Sequence, residues 1–203
     1  LDNVVEIALG NRGMCARTED ARMYCWGNNQ YAQCGQGHQD NPLKVPALVT
    51  VVPVQYMITS IAIGQYHACA ATADDAVLCW GYNANGQLGD GTTTNEYESS
   101  VFVESKNGTV PPTPAPSPLP TPRPSDTYYG TASVTAGYDT TFLLNEYGGV
   151  YAIGRDSNGQ LGHTDDAEAH TSTARRVDDR IKHVAKLVTS GRRSTYERAT
   201  AAI

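Results

Sequence analysis

A tandem repeat is the feature of this sequence that most constrains its fold. Three segments align without gaps: CARTEDARMYCWGNNQYAQCG at residues 15–35, CAATADDAVLCWGYNANGQLG at 69–89 and FLLNEYGGVYAIGRDSNGQLG at 142–162. Units of this kind bury their apolar faces against one another, so the fold must be an array of similar elements. A short apolar run ending in glycine precedes each segment, and a weaker fourth run ends the same way. These glycines are Gly10, Gly64, Gly137 and Gly191.

The spacing of these glycines shows where the array is interrupted. They are 54, 73 and 54 residues apart, so the middle interval contains 19 additional residues. The excess coincides with a proline-rich segment. We therefore predict two repeats in residues 1–104, a polyproline II insertion in 105–127, and a third repeat with the start of a fourth in 128–203.

Each repeat is predicted to be β-structure. Runs such as ITSIAIG, HACAAT and AVLCWG are short, partly alternating and bounded by Gly, Asp and Asn, which is typical of strands. TADDA and NEYGG have the composition of hairpin turns. A four-stranded antiparallel unit of about 50 residues fits a β-propeller blade. The predicted fold class is all-β, a partial or open propeller of about three blades and a partial fourth.

The residues around the Trp-Gly pairs resemble the regulator of chromosome condensation repeat. VLCWGYNANGQLGDGT and VYAIGRDSNGQLGHT match its pattern well, whereas MYCWGNNQYAQCGQG departs from it at Ala32 and Cys34. The resemblance implies propeller blades. Besides the strand glycines, the repeat-defining residues are Trp26, Trp80, Gly27, Gly81, Gly154, Gln87 and Gln160.

Charge limits which functions of that family can be expected here. The founding member exchanges nucleotide on the small GTPase Ran and docks on chromatin. This chain has a net charge of −6, which argues against nucleic acid or an anionic membrane surface as a partner. No run approaches the ~20 apolar residues of a membrane-spanning helix. The chain starts at Leu1 without a signal peptide or Met, so we expect a processed or trimmed product, and secretion stays open.

No catalytic motif or cofactor site is predicted. The sequence contains no nucleophile elbow, phosphate loop or dinucleotide fingerprint. HTDDAEAH, from His163 to His170, gathers two histidines and three carboxylates that could hold a metal ion. Its place after the Gly-Gln-Leu-Gly run favours a solvated loop instead. His67 is interpreted as a structural hydrogen-bonding residue. We therefore predict a protein that is not an enzyme and binds no metal or cofactor.

Two pairs of cysteines occupy equivalent positions of the first two repeats. Cys15 and Cys25 are ten residues apart, and so are Cys69 and Cys79. On adjacent hairpin strands such a pair can face across the ladder, so we predict two disulfides, with buried free thiols as the alternative. Disulfides in small β-units indicate an oxidising compartment. Cys34 is left over; a buried thiol is the simpler interpretation, and an intermolecular disulfide is the other.

The insertion carries the predicted modification sites. Eight of the eleven prolines lie between Pro111 and Pro124, which favours polyproline II and excludes helix or sheet. A stiff, passive spacer is the alternative. Asn107 begins an N-glycosylation sequon. The alternating prolines also resemble hydroxyproline-rich glycoproteins of algal and plant walls, which implies hydroxylated, glycan-bearing prolines. The candidates are Pro114, Pro116, Pro118, Pro120 and Pro122.

These observations favour an extracellular or cell-surface structural protein. Three blades cannot close a ring, so the missing neighbours come from a longer chain or from other copies joined head to tail. We predict a glycosylated subunit of a self-assembling fibre or surface layer. The alternative is a secreted propeller that binds or inhibits another protein through loop aromatics. Those are Tyr31, Tyr66, Tyr82 and Tyr138, which the sequence does not distinguish from side chains packed between blades.

Overall fold

The computed structural model describes residues 1–103, 131–163, 169–178, 181 and 184–189. These residues form twelve strands and contain no helix. The strands make three separate four-stranded sheets, each a simple antiparallel meander in chain order. The prediction of an all-β array of propeller-type blades is therefore confirmed.

The first sheet comprises β1 (Val4–Leu9), β2 (Gly13–Thr18), β3 (Met23–Gly27) and β4 (Leu43–Leu48). The second comprises β5 (Ile58–Ile63), β6 (His67–Thr72), β7 (Val77–Gly81) and β8 (Glu96–Phe102). The third comprises β9 (Thr131–Ala136), β10 (Thr140–Asn145), β11 (Val150–Arg155) and β12 (His170–Arg176). Beyond them, Val184 is buried and Leu187 half-buried against the third sheet, at the start of the predicted fourth repeat.

The sheets pack face to face in chain order. β5 contacts β1 and β2 of the first sheet, and β9 contacts β5 and β6 of the second. One apolar cluster fills the first junction and includes Cys15, Ile61 and Trp80; another fills the second junction and includes Cys69, Leu88 and Ile153. The second sheet is thus covered on both faces. This explains why every residue of β6 is buried, although the sequence predicted partial alternation.

Steric constraints explain why two sets of repeat positions are occupied by glycine. At Gly27, Gly81 and Gly154 the backbone φ angle lies between +102° and +108°. A Cβ at these positions would lie 2.3–2.5 Å from the carbonyl oxygen of the residue just before the neighbouring strand, so only glycine fits. At Gly10 an added Cβ would lie 2.4 Å from the Gly64 oxygen, so one strand glycine contacts the next across the first junction.

Candidate binding surface

The loop after the third strand of each sheet is closed by side chains at fixed repeat positions. Side-chain oxygens of Asn29, Asn83 and Asp156 accept hydrogen bonds from the backbone N–H five residues later, at 2.8–2.9 Å. A glutamine then accepts from the N–H two residues before it, at 2.8–3.0 Å. The family-pattern glutamines therefore fix loop shape from within. These glutamines are Gln33, Gln87 and Gln160.

The first two closed loops also bind the next sheet. The backbone oxygen of Gln33 accepts a hydrogen bond from Trp80 Nε1 at 3.0 Å. The third sheet has Ile153 where the second has Trp80, and here Thr141 Oγ1 donates instead to the Gln87 oxygen at 2.8 Å. Both donors are fully buried. The loops are therefore rigidly attached to two sheets each, which holds their exposed side chains in place.

His67 belongs to this second junction. Its Nε2 lies 2.9 Å from Thr141 Oγ1. Since the Thr141 hydroxyl already donates to Gln87, the hydroxyl oxygen accepts from His67, so the imidazole carries its proton on Nε2. Burial lowers the pKa of His67 to about 4, and a hydrogen bond to the Thr140 backbone opposes that shift. The histidine is neutral and structural at physiological pH.

Five tyrosines gather at the end of the sheets where these loops lie. Tyr31 is central, with ring centroids 4.8 Å from both Tyr66 and Tyr82 and 6.5 Å from Tyr97. Tyr66 also contacts Tyr138, at 6.5 Å. All five are half-buried. They pack between sheets and are also partly exposed to solvent, so the packing interpretation is met, while a role as anchors for a partner stays a prediction. We call these five residues the tyrosine surface.

The loop hydrogen bonds fix this surface in position. The Tyr31 backbone N–H donates to Gln33 Oε1 at 2.9 Å. Asn95 donates through Nδ2 to the Tyr97 hydroxyl at 2.7 Å, and its Oδ1 accepts from the Asn83 N–H. Because the Tyr97 oxygen accepts, its hydrogen is directed to another acceptor.

Electrostatics keep the Tyr82 hydroxyl protonated. Burial raises the pKa of Tyr82, and the negative charge of Asp139 adds to that rise. The neighbouring tyrosines act in the same direction. The surface therefore presents aromatic faces together with the Tyr82 hydroxyl, which can donate a hydrogen bond.

Sequence reasoning missed Tyr97, Thr141 and Gln33. Tyr97 is the second residue of β8, a strand whose register follows from pairing with β7 rather than from any local motif. Thr141 stands at the position of Ala68, and only the contact with the preceding loop shows its role. Gln33 was detectable, since it aligns with Gln87 in the repeat.

The cysteine pairs lie at matching places in the first two sheets. Cys15 is directly opposite Cys25, and Cys69 is opposite Cys79. In both pairs the Cα atoms are 4.1 Å apart and the Sγ atoms 2.14 Å apart. Directly opposed positions on adjacent antiparallel strands suit the predicted disulfides, which stay predictions that reduction tests. In the third sheet Phe142 faces Ala152 instead.

Cys34 occupies the position of the core residues Leu88 and Leu161. It is completely buried, and its Sγ lies 3.4 Å from the Asn28 oxygen. Burial raises the pKa of the Cys34 thiol to about 12. A protonated, inaccessible thiol is unreactive, which favours the buried-thiol interpretation over an intermolecular disulfide.

The other candidate residues do not form a site in the described part of the chain. His163 Nδ1 lies 3.8 Å from Asp156 Oδ2, and His163 Nε2 lies 3.4 Å from the Arg175 backbone oxygen. Residues 164–168 fall outside the described part of the chain. No group of three or more potential metal ligands occurs among the described residues. Nor do those residues include a helix able to cross a membrane. Asn107, the five candidate prolines and Gly191 also lie outside the described residues.

One apolar face has no covering sheet in the described structure. Ile7 and Leu9 on the outer face of the first sheet are 61% and 66% exposed. Their counterparts Ile61 and Ile63 are 3% and 2% exposed, because the first sheet covers them. Trp26 on this face is half-buried, whereas its counterpart Trp80 is fully buried.

Comparisons with known proteins agree with this repeat pattern. The family model described as Regulator of chromosome condensation (RCC1) repeat matches residues 20–71 and 74–144, and a second model of the same description matches 58–87. A similar relative is the probable E3 ubiquitin-protein ligase HERC4 of Rattus norvegicus, 26% identical over 193 residues. That match covers 95% of this chain and 16% of the ligase.

Solved structures show the same fold. Human WBSCR16 superposes with a TM-score of 0.69 at 18% identity, covering 89% of this chain and 39% of that protein. Prp20p from Saccharomyces cerevisiae, whose structure was described with its binding to Gsp1p and histones, gives 0.67 at 24% identity. That superposition covers 94% of this chain and 42% of Prp20p. The chain thus spans about two fifths of these propellers.

Proposed function

Because the chain belongs to the regulator of chromosome condensation repeat family, we propose that it is a non-catalytic module that binds another protein through the tyrosine surface. The observation that supports this proposal most directly is the cluster itself, in which the Tyr31 ring centroid lies 4.8 Å from the centroids of two further rings on a rigid support. Tyrosine is favoured in protein interfaces because it offers a large apolar face, a hydroxyl and few rotatable bonds.

The support of the surface also favours binding. The rings come from loops and turns at one end of all three sheets, and buried hydrogen bonds from Trp80 and Thr141 tie those loops to the next sheet. A surface held in its binding conformation loses little side-chain entropy on association. The ligase activity in the name of HERC4 is not proposed here, since this chain corresponds to 16% of that protein.

The test compares matched tyrosine variants. The chain and its Tyr82→Ala, Tyr31→Ala and Tyr147→Ala variants are used as bait in extract and medium of the source organism. Tyr147 is the control, because it is 72% exposed in the turn at the opposite end of the third sheet. A protein captured by the unmodified chain and by Tyr147→Ala, but not by the other two, supports the proposal. Equal capture by all four baits overturns it.

Head-to-tail assembly is a second candidate, favoured by the outer face of the first sheet. Ile7 and Leu9 are exposed where the equivalent isoleucines of the second sheet are buried by a neighbour. Covering such side chains contributes about 1.5–3 kcal/mol each. We propose that the face is covered by a blade of a second copy, in a contact that closes a ring or extends a filament.

Sedimentation of one test variant and one control variant examines this assembly. Ile7→Lys places a charge on the outer face, whereas Val54→Lys changes a fully exposed residue elsewhere. Large particles for the chain and for Val54→Lys, with loss of those large particles for Ile7→Lys, would support assembly through this face. Monodisperse folded monomers of the unmodified chain at micromolar concentration would exclude it.

We further propose an oxidising, extracellular setting for the module. The directly opposed positions of both cysteine pairs on adjacent strands support it, because such pairs can form disulfides, which persist in oxidising compartments. A glycan on Asn107 is part of this proposal. Intact mass of unreduced native material tests both points. A mass above 21.8 kDa in sugar steps, with one thiol that is alkylated only after unfolding, is expected. Five free thiols and an unmodified mass would reject it.

A further inference from the structure

The tyrosine surface and the proline-rich tract of this chain are chemically complementary. We propose that the tyrosine surface of one molecule binds the unmodified proline-rich tract, residues 111–124, of a second copy. This inference rests on the proposed function, since it names the ligand class of the same surface. Proline-rich segments in polyproline II conformation dock on aromatic-lined grooves in several unrelated folds, because the ligand loses little entropy on binding.

The ring geometry suits an extended proline-rich ligand. Tyr31 is tilted by 59° to both Tyr66 and Tyr82, and Tyr66 is edge-on to Tyr138 with an interplanar angle of 71°. Tilted rings leave clefts between them instead of a flat stack. Proline rings can enter such clefts and pack on aromatic faces without a change in backbone conformation.

The hydroxyl groups supply the polar part of the recognition. A polyproline II backbone has no internal hydrogen bonds, so its carbonyl oxygens are open acceptors. The Tyr97 hydroxyl accepts from Asn95 Nδ2, which directs its own hydrogen away toward an acceptor. The pKa of Tyr82 is raised by burial, so its hydroxyl also stays a donor at neutral and mildly alkaline pH.

Chain geometry favours a second copy over the tract of the same molecule. Val103 follows the end of β8, where its N–H donates to Val77, whereas Tyr97 and Tyr82 lie at the other end of that strand. β8 has seven residues and is therefore about 23 Å long. Residues 104–110 span at most about 25 Å.

The return path is equally long. Thr131 pairs with Asn145, at the end of β9 that lies away from Tyr138. If residues 111–124 bound over their whole length to the surface of their own molecule, both flanking segments would therefore have to be almost fully extended, with no residues left to pass around the sheet. A second copy imposes no such requirement. Glycans on the prolines would cover the same faces, so the proposal concerns the unmodified tract.

Titration with a peptide is the first test. The probe is the synthetic peptide VPPTPAPSPLPTPRP, which corresponds to residues 110–124, and the protein is a full-length chain whose own tract prolines are replaced by serine. We expect binding that Tyr31→Ala or Tyr82→Ala weakens at least about tenfold, as truncation of a central aromatic anchor does. Tyr147→Ala should leave affinity unchanged. No binding of the peptide, or equal binding by all variants, overturns the inference.

Self-association of the Ile7→Lys chain is the second test, because this substitution removes the contact proposed for the outer face of the first sheet. Sedimentation should show a concentration-dependent dimer or larger species that is lost both on serine replacement of the prolines and in Tyr82→Ala. A monomer that binds the peptide only after its prolines are replaced would show occupation by its own tract, and would overturn the second-copy assignment. Loss of a captured protein in Tyr82→Ala without any peptide binding would leave the proposed function intact and reject this inference alone.

Discussion

The two junctions between sheets use the same acceptor with different donors. In the first junction the Gln33 oxygen accepts from Trp80, a large ring that also fills the space between sheets. In the second, the Gln87 oxygen accepts from Thr141, and Ile153 fills the space instead. Position 68 is alanine beside the tryptophan, and its counterpart is threonine beside the isoleucine. Each junction therefore has one hydrogen-bond donor to the loop carbonyl and one apolar side chain between the sheets, although different residues supply them.

This comparison predicts that the first junction depends more on a single side chain than the second does. Of the substitutions considered, Trp80→Ala should therefore lower the free energy of unfolding most. The substitution empties a fully buried site and leaves the Gln33 oxygen unpaired. Removal of a core tryptophan costs about 3–5 kcal/mol. Urea unfolding followed by far-UV circular dichroism measures the loss. A loss below about 1 kcal/mol would mean that Trp80 does not hold the first junction together.

The cysteine pairs distinguish the first two sheets from the third, where Phe142 and Ala152 stand opposite each other. Closing a loop of about ten residues stabilises a fold by roughly 2.5–3 kcal/mol. We expect Cys69→Ala combined with Cys79→Ala to lower the free energy of unfolding by about that amount. Added reductant should then cause a further loss only through Cys15 and Cys25. Unfolding curves that are identical with and without reductant would contradict both disulfides.

The second junction alone contains a buried histidine, so pH should act on it selectively. The pKa of His67 is about 4 when folded and about 6.5 when unfolded. Between these values the unfolded chain binds a proton that the folded chain does not, so stability is present above pH 6.5 and falls toward pH 4. The loss between pH 7.5 and 4.5 is about 2–3 kcal/mol. His67→Asn should flatten this part of the profile, and an unchanged slope would show that other groups cause it.

Much of this fold could be predicted from the sequence, because the repeat aligns chemically similar residues three times. The strand glycines, the Trp-Gly pairs and the opposed cysteines all lie at equivalent places in their sheets. Alternation was the weak signal, since β6 is covered on both faces and contains no solvent-facing side. Ala32 adopts φ +56° where the other repeats have glycine, so even the degraded loop keeps its shape.

The candidate surface could be predicted only in part. Four of its five tyrosines stand in loops that the repeat pattern exposes, but their mutual distances depend on how one sheet is placed on the next. Tyr31 meets Tyr66 and Tyr82 across the first junction, which no local motif encodes. Tyr97 enters through strand pairing and is oriented by Asn95. Contacts between repeats, unlike positions within a repeat, had to come from the structure.

The smallest predicted effects isolate the hydrogen bonds themselves. Thr141→Val keeps the shape of the side chain but leaves the Gln87 oxygen and His67 Nε2 without their partner, which should cost about 2 kcal/mol. Trp80→Phe keeps an aromatic filler and leaves only the Gln33 oxygen unpaired, so about 1 kcal/mol is expected. Urea unfolding at pH 7.5 compares the two. Thr141→Val should also shift the acid limb of the stability profile, because its hydroxyl contacts the imidazole, whereas Trp80→Phe should not. If Trp80→Phe were the more damaging change, ring packing and not the shared carbonyl acceptor would be what the two junctions have in common.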